Sequence, residues 1–93
     1  MKRLKEDPNM IQACMAFNGK ATKEWIKEFL QEYVDGNFID LKDIIQKDVL
    51  DTKTGRIDTE TGPIWVAQFL TSRANLKWFK REFGKYLTVK EGW

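Results

Sequence analysis

The chain has no histidine and only one cysteine, Cys14, among its 93 residues. The first absence removes the commonest general base and the commonest zinc ligand together. The second leaves no internal disulfide and no thiolate metal cluster, so a reducing compartment is the default expectation. Hydrolases built on Ser–His or Cys–His pairs are excluded unless a lysine replaces the base. No stretch approaches the ~20 apolar residues of a membrane span. The opening "MKRLKEDPNM" is basic but lacks the apolar core of a signal peptide. The expectation is a soluble, cytoplasmic protein with no membrane partner, no metal and no cofactor. Two prolines and six glycines are too few to build a linker between domains.

What is present is apolar and aromatic. Hydrophobic residues make up 42% of the chain and aromatics 13%, with four Trp, six Phe and two Tyr. That is too much for a disordered chain and suits one small domain. Residues 1–8 read as a flexible charged arm ending at Pro8, and residues 9–93 as a single compact domain.

Four segments carry periodicity. "NMIQACMAFNG" (9–19) predicts a helix capped by Asn9, with Ile11, Cys14, Met15 and Phe17 on one face and Asn18–Gly19 as its stop. "KATKEWIKEFLQEYVDG" is the clearest: Trp25, Ile26, Phe29, Leu30, Tyr33 and Val34 recur at spacings of three and four. Thr22 is its natural cap, Gly36–Asn37 end it, and its solvated face is mixed in sign. "FIDLKDIIQKDVLD" predicts a weaker helix from Asp40 to about Asp48, with Leu41, Ile44, Ile45 and Val49 as its stripe. In the last third, Pro63 stands as a first helical residue before Trp65, Val66, Phe69 and Leu70. "SRAN" is a loop or bend, and Asn75 caps a helix carrying Leu76, Phe79 and Phe83 up to Gly84. "KYLTV" reads as extended.

Between these halves the chain says nearly the same thing twice, Asp51-Thr-Lys-Thr-Gly55 and Asp58-Thr-Glu-Thr-Gly62. A calcium loop needs oxygen ligands at alternating positions, and Lys53 occupies one of them. A phosphate cradle needs more glycine and a different order. A turn uses every residue: Asp at the first position accepts backbone N–H groups, and Gly at the last supplies positive φ. "VLDTKTGRI" therefore predicts a short hairpin, and "DTETG" a second turn.

Charge divides the chain at the same place. Residues 1–62 carry ten basic and twelve acidic side chains, whereas residues 63–93 carry six basic and two acidic ones. The basic set is interleaved with Trp78, Phe79, Phe83 and Tyr86. A helix with an apolar back and a basic front is what a duplex-reading element needs. The fold expected is mainly α with a small β component (α+β), a helix-turn-helix or winged-helix-like domain with a short hairpin. DNA is the expected partner, and Ser72, Arg73, Asn75, Lys77, Lys80, Arg81, Lys85 and Lys90 the expected contacts. No enzymatic role is expected, because no carboxylate pair stands apart from a capping explanation. The alternative is a protein-interaction module that inhibits or recruits a larger complex, or a homodimer. Its candidate anchors are Trp25, Trp78 and Trp93, since large aromatics are enriched at interface hot spots.

Overall fold

The computed structural model describes residues 10–17, 21–60 and 62–93. The expected arm at 1–8, the cap at Asn9 and the stop at Asn18–Gly19 lie outside the described residues. The elements run β1 (Ile11–Phe17), α1 (Lys23–Asp35), β2 (Asp40–Lys47), β3 (Ile64–Thr71), α2 (Arg73–Phe83) and β4 (Thr88–Glu91). The strands form one sheet in the order β2-β3-β1-β4, and every neighbouring pair is antiparallel. This is a mixed α+β domain with the split βαβ (ferredoxin-like) order of elements.

Three segments expected to be helices are strands. β1 and β3 are the two central strands, each paired on both edges. Ala13, Cys14 and Met15, three in a row, are all buried. A strand buried on both faces reads as a continuous apolar run, which periodicity cannot tell from a buried helix. β2 misled for a different reason. A bulge between Leu41 and Asp43 puts Leu41 and Ile44 on the same face three residues apart, as they would be on a helix. The helix-turn-helix expectation needed a supporting helix at Ile64–Leu70, and that segment is β3. "SRAN" is likewise no loop: Ser72 caps α2 by accepting the Asn75 N–H at 3.2 Å.

α1 forms where expected. Thr22 Oγ1 accepts the Trp25 N–H at 3.1 Å, and Gly36 closes the other end. Beyond it Asn37 adopts φ 62°, the Phe38 N–H reaches the Tyr33 carbonyl at 2.9 Å and the Asn37 N–H reaches that of Val34 at 3.1 Å. This reciprocal pair is the Schellman stop, which brings the residue after the left-handed position back against the last turn. Phe38 accordingly lies beside Tyr33, ring centroids 6.5 Å apart. A Cβ on Gly36 would stand 2.8 Å from the Phe38 ring.

Alternation along the strands sorts the sheet into two faces. Met15, Phe17, Ala67, Phe69 and Ile44 point one way and join Ile26 and Leu30 of α1 and Leu76 and Phe79 of α2 in the core. Both helices therefore cover this face. Thr71, at the end of β3 and fully buried, donates its hydroxyl to the Phe38 carbonyl at 2.7 Å, which fixes the α1–β2 connection to the sheet. Gln12, Cys14, Ala16, Val66, Gln68 and Leu70 point to the opposite face.

The duplicated stretch is two turns. In each copy the Asp carboxylate accepts the N–H two residues on, Lys53 at 2.8 Å and Glu60 at 3.0 Å. In each the Gly N–H donates to that Asp carbonyl, at 2.8 and 3.2 Å, and Gly55 and Gly62 take φ of 69° and 73°. Leu50 pairs with Ile57 across the first turn, which makes it the expected hairpin.

Candidate interaction site on the helical face

The two helices meet through rings. On α1, Trp25, Phe29 and Tyr33 follow one another at intervals of four, so they form a ridge beside the buried Ile26 and Leu30. Trp25 stacks on Phe29 at 5.3 Å. Tyr33 packs against Trp78, Phe79 and Phe83 of α2 at centroid distances of 6.0, 5.4 and 5.9 Å, and Phe29 meets Phe83 at 5.5 Å. Residues late in α1 thus lie level with residues early in α2, and the helices run antiparallel.

This seam opens into a cleft of about 580 Å³ lined by Glu32, Tyr33, Phe38, Ala74, Asn75, Trp78 and Arg81. Its floor is aromatic and its rims are charged. Asn75, half-buried, turns its amide toward the Phe38 carbonyl at 3.5 Å. Burial first, and the Glu32 and Glu82 carboxylates after it, push the Tyr33 hydroxyl above its ordinary value of 10.0. Tyr33 is thus a neutral hydrogen-bonding group at neutral pH.

The rims differ in sign. The exposed surface of α1 presents Glu24, Glu28, Glu32 and Asp35 against Lys27, with Lys23 half-buried, an acidic excess. That of α2 presents Arg73, Lys77, Lys80 and Arg81 against Glu82. Glu32 and Arg81 stand on either side of the cleft, and Glu82 also acts on Tyr33 from the α2 side.

The expected nucleic-acid contacts are divided by this geometry. Lys77, Lys80 and Arg81 share the outward arc of α2, with Arg81 3.9 Å from Glu82. Ser72 is spent on the cap, and Asn75 sits inside the cleft. Arg73 pairs with Glu91 at 3.3 Å. Lys85 lies in the turn beyond Gly84. Lys90 pairs in register with Cys14 and points to the face opposite the helices. The three tryptophan candidates are all exposed, Trp25 by 50%, Trp78 by 37% and Trp93 by 42%. Trp25 and Trp78 flank the seam. Trp93 belongs elsewhere: its indole N–H donates to the carbonyls of Ala13 at 2.8 Å and Phe69 at 3.4 Å, and its own carbonyl accepts from Lys47 at 3.1 Å.

Tyr33, Phe38 and Glu32 were not singled out in the sequence as site residues. Tyr33 carried a signal, because it extends the Trp25–Phe29 ridge by four. Phe38 carried none, since its place depends on the left-handed Asn37. Among the described residues no group of three or more His, Cys, Asp or Glu is placed to hold a metal. No described helix is long and apolar enough to cross a membrane. No protein-family model matches the chain, and comparison with curated proteins and with solved structures returns no match.

Proposed function

We propose that this domain is a protein-binding module whose working surface is the trough between α1 and α2. The observation that carries this reading is the cleft floored by Tyr33, Phe38 and Trp78 and bounded by Glu32 on one side and Arg81 on the other. An apolar anchor from a partner fills the cleft, in the way buried aromatic and aliphatic groups dominate interface energetics. The charged rims fix its direction, because a partner segment must carry positive charge where it passes α1 and negative charge where it passes α2. The chemistry asked of the site is recognition, and no proton transfer is assigned to it.

Selection from a random displayed-peptide library tests this. The expected binders combine an apolar anchor with flanking charges of opposite sign. They should lose at least about tenfold in affinity, or ~1.4 kcal/mol, when Trp78→Ala is made in a protein whose circular dichroism is unchanged. Failure to enrich any peptide, or binders indifferent to Trp78→Ala, refutes the reading.

A second reading rests on Lys77, Lys80 and Arg81, which share one outward arc and could neutralise phosphates. The acidic surface of α1 beside them opposes a polyanion, and Lys90 is turned away from the same surface. A labelled random duplex at about 50 mM salt separates the two, since phosphate contacts give a steep salt dependence. Binding that disappears in Lys77→Glu/Lys80→Glu/Arg81→Glu would move nucleic acid ahead of protein.

A further inference from the structure

We infer that the partner of this surface is a second copy of the same chain, docked face to face about a two-fold axis that runs along the seam between α1 and α2. The inference rests on the protein-binding reading above and names its occupant. A two-fold interface must be self-complementary, since each patch meets its own copy. A face with a single charge sign would repel its copy, and this one carries both signs on parallel ridges.

The arrangement of those ridges selects the axis. Rotation about a line along the seam lays α1 of one copy over α2 of the other, so each acidic ridge meets a basic one. Rotation about a line across the helices, still in the plane of contact, lays α1 on α1 and α2 on α2. That puts like charges together, which disfavours the arrangement. The levels also match. Tyr33 stands beside Trp78, and Phe29 beside Phe83. Glu32 is therefore at the height of Lys80 and Arg81 and would face them across the seam-parallel axis, with Glu28 about one turn further along. Groups nearest that axis meet their own copies, which places the exposed Trp25 and Trp78 in the centre of the interface and the charges at its edge. Apolar centre and polar rim is the usual anatomy of a stable contact.

The alternatives elsewhere on the molecule are weaker. Leu50 and Ile57 are exposed on the hairpin, but nothing flanking them specifies a partner. The face of the sheet opposite the helices already has Trp93 bonded to its backbone.

Sedimentation equilibrium on charge-reversed chains tests the inference. The wild type should self-associate between about 1 μM and 1 mM, the range of −8 to −4 kcal/mol in binding free energy. Reversing one ridge alone, by Glu28→Lys/Glu32→Lys or by Lys77→Glu/Arg81→Glu, should weaken association at least tenfold. Mixing the two single-ridge variants should restore a dimer. The chain carrying all four substitutions should dimerise with itself but not with the wild type, whereas an axis across the helices predicts the reverse. All the substituted positions are exposed, and far-UV circular dichroism checks that each variant folds. If the four-substitution chain does not fold, the weakening of self-association by each single-ridge reversal decides.

A wild type that stays monomeric to about 1 mM overturns the inference, as do single-ridge reversals without effect or a mixture that fails to associate. A monomeric wild type that still selects Trp78-dependent peptides removes the dimer and leaves the protein-binding reading standing. Loss of both removes both.

Discussion

The two faces of the sheet solve the same problem differently. On the face opposite the helices, β1 and β3 present small, aliphatic and amide side chains: Ala16, Cys14, Val66, Leu70, Gln12 and Gln68. Trp93 folds back over them after Gly92, whose positive φ of 88° turns the chain, and whose N–H donates to the Gln12 carbonyl at 2.7 Å. Cys14 and Val66 end up almost wholly buried there. On the other face, the rings that seal the core continue outward as a trough, and among the described residues no segment of the chain lies across Trp25 or Trp78. One face carries its own cover. The other leaves aromatic area in water between ridges of opposite charge, and such area marks an interaction surface more often than chance exposure does.

The deepest cut removes the ring on which the helical face is built. Phe79 is fully buried and packs against Tyr33, Phe69, Trp78 and Phe83. Phe79→Ala should cost about 3–5 kcal/mol, a large part of the ~5–15 kcal/mol that holds a domain together. A large shift of the urea midpoint is expected, and a shift corresponding to less than about 1 kcal/mol would mean that the helices do not depend on this ring.

Trp93→Ala should uncover the other face. With the ring partly exposed, the loss should be about 2 kcal/mol, near half that of a fully buried Trp. Cys14 should then react faster with a thiol reagent, while association through the helical face stays as it was. An unchanged Cys14 rate would show that Trp93 is not the cover.

Alkali should weaken both faces, each through its own group. Burial pushes the Cys14 thiol up from 9.0, against the lowering effect of Lys90 and Lys47. Tyr33 is raised from 10.0 on the helical side. Both groups favour the folded state while neutral. That contribution is complete below the unfolded-state pKa values and fades as pH rises through the folded ones, because the unfolded chain releases its protons first. Denaturant midpoints should therefore fall above about pH 9, the low edge of the Cys14 shift. The fall should be shallower in Cys14→Ala and in Tyr33→Phe, each measured against its own neutral-pH midpoint.

Smaller effects belong to the ends of the helices. Thr22→Ala removes the α1 cap and should cost about 1 kcal/mol, read as a lower thermal midpoint. Arg73→Gln breaks the pair with Glu91, whose side chains are 71% and 49% exposed. A change of no more than about 0.5 kcal/mol is expected there, so a larger one would give that contact a structural role.

How much of this was legible in the sequence depended on whether local chemistry or tertiary pairing decided each element. Thr22, Gly36 and the spacing of Ile26 and Leu30 specify α1 locally, and the Asp…Gly turns are readable residue by residue. α2 was legible too, apart from its cap, because its apolar and basic residues separate onto opposite arcs. Apart from β4, whose Thr88 and Val89 lie in the segment expected to be extended, the strands were not. "IQACMAF" and "IWVAQFLT" are apolar on both faces because a neighbour lies on each edge, helices lie on one side and Trp93 on the other. None of that is local. β2 concealed its alternation behind a bulge. The candidate site was half visible: Trp78 could be singled out as a misfit to the apolar face of its helix and Trp25 as a large aromatic, but the cleft beside Trp78 needed Phe38, whose position follows from a left-handed asparagine.

The most direct measurement follows the amide and indole resonances of the ¹⁵N-labelled protein as its concentration rises from about 10 μM to 1 mM, the window of weak to moderate self-association. The account predicts shifts confined to the seam of α1 and α2, with the Trp25 and Trp78 indoles moving and the Trp93 indole still. Shifts centred on Lys47, Lys90 and Trp93, or a spectrum unchanged across that range, would contradict it.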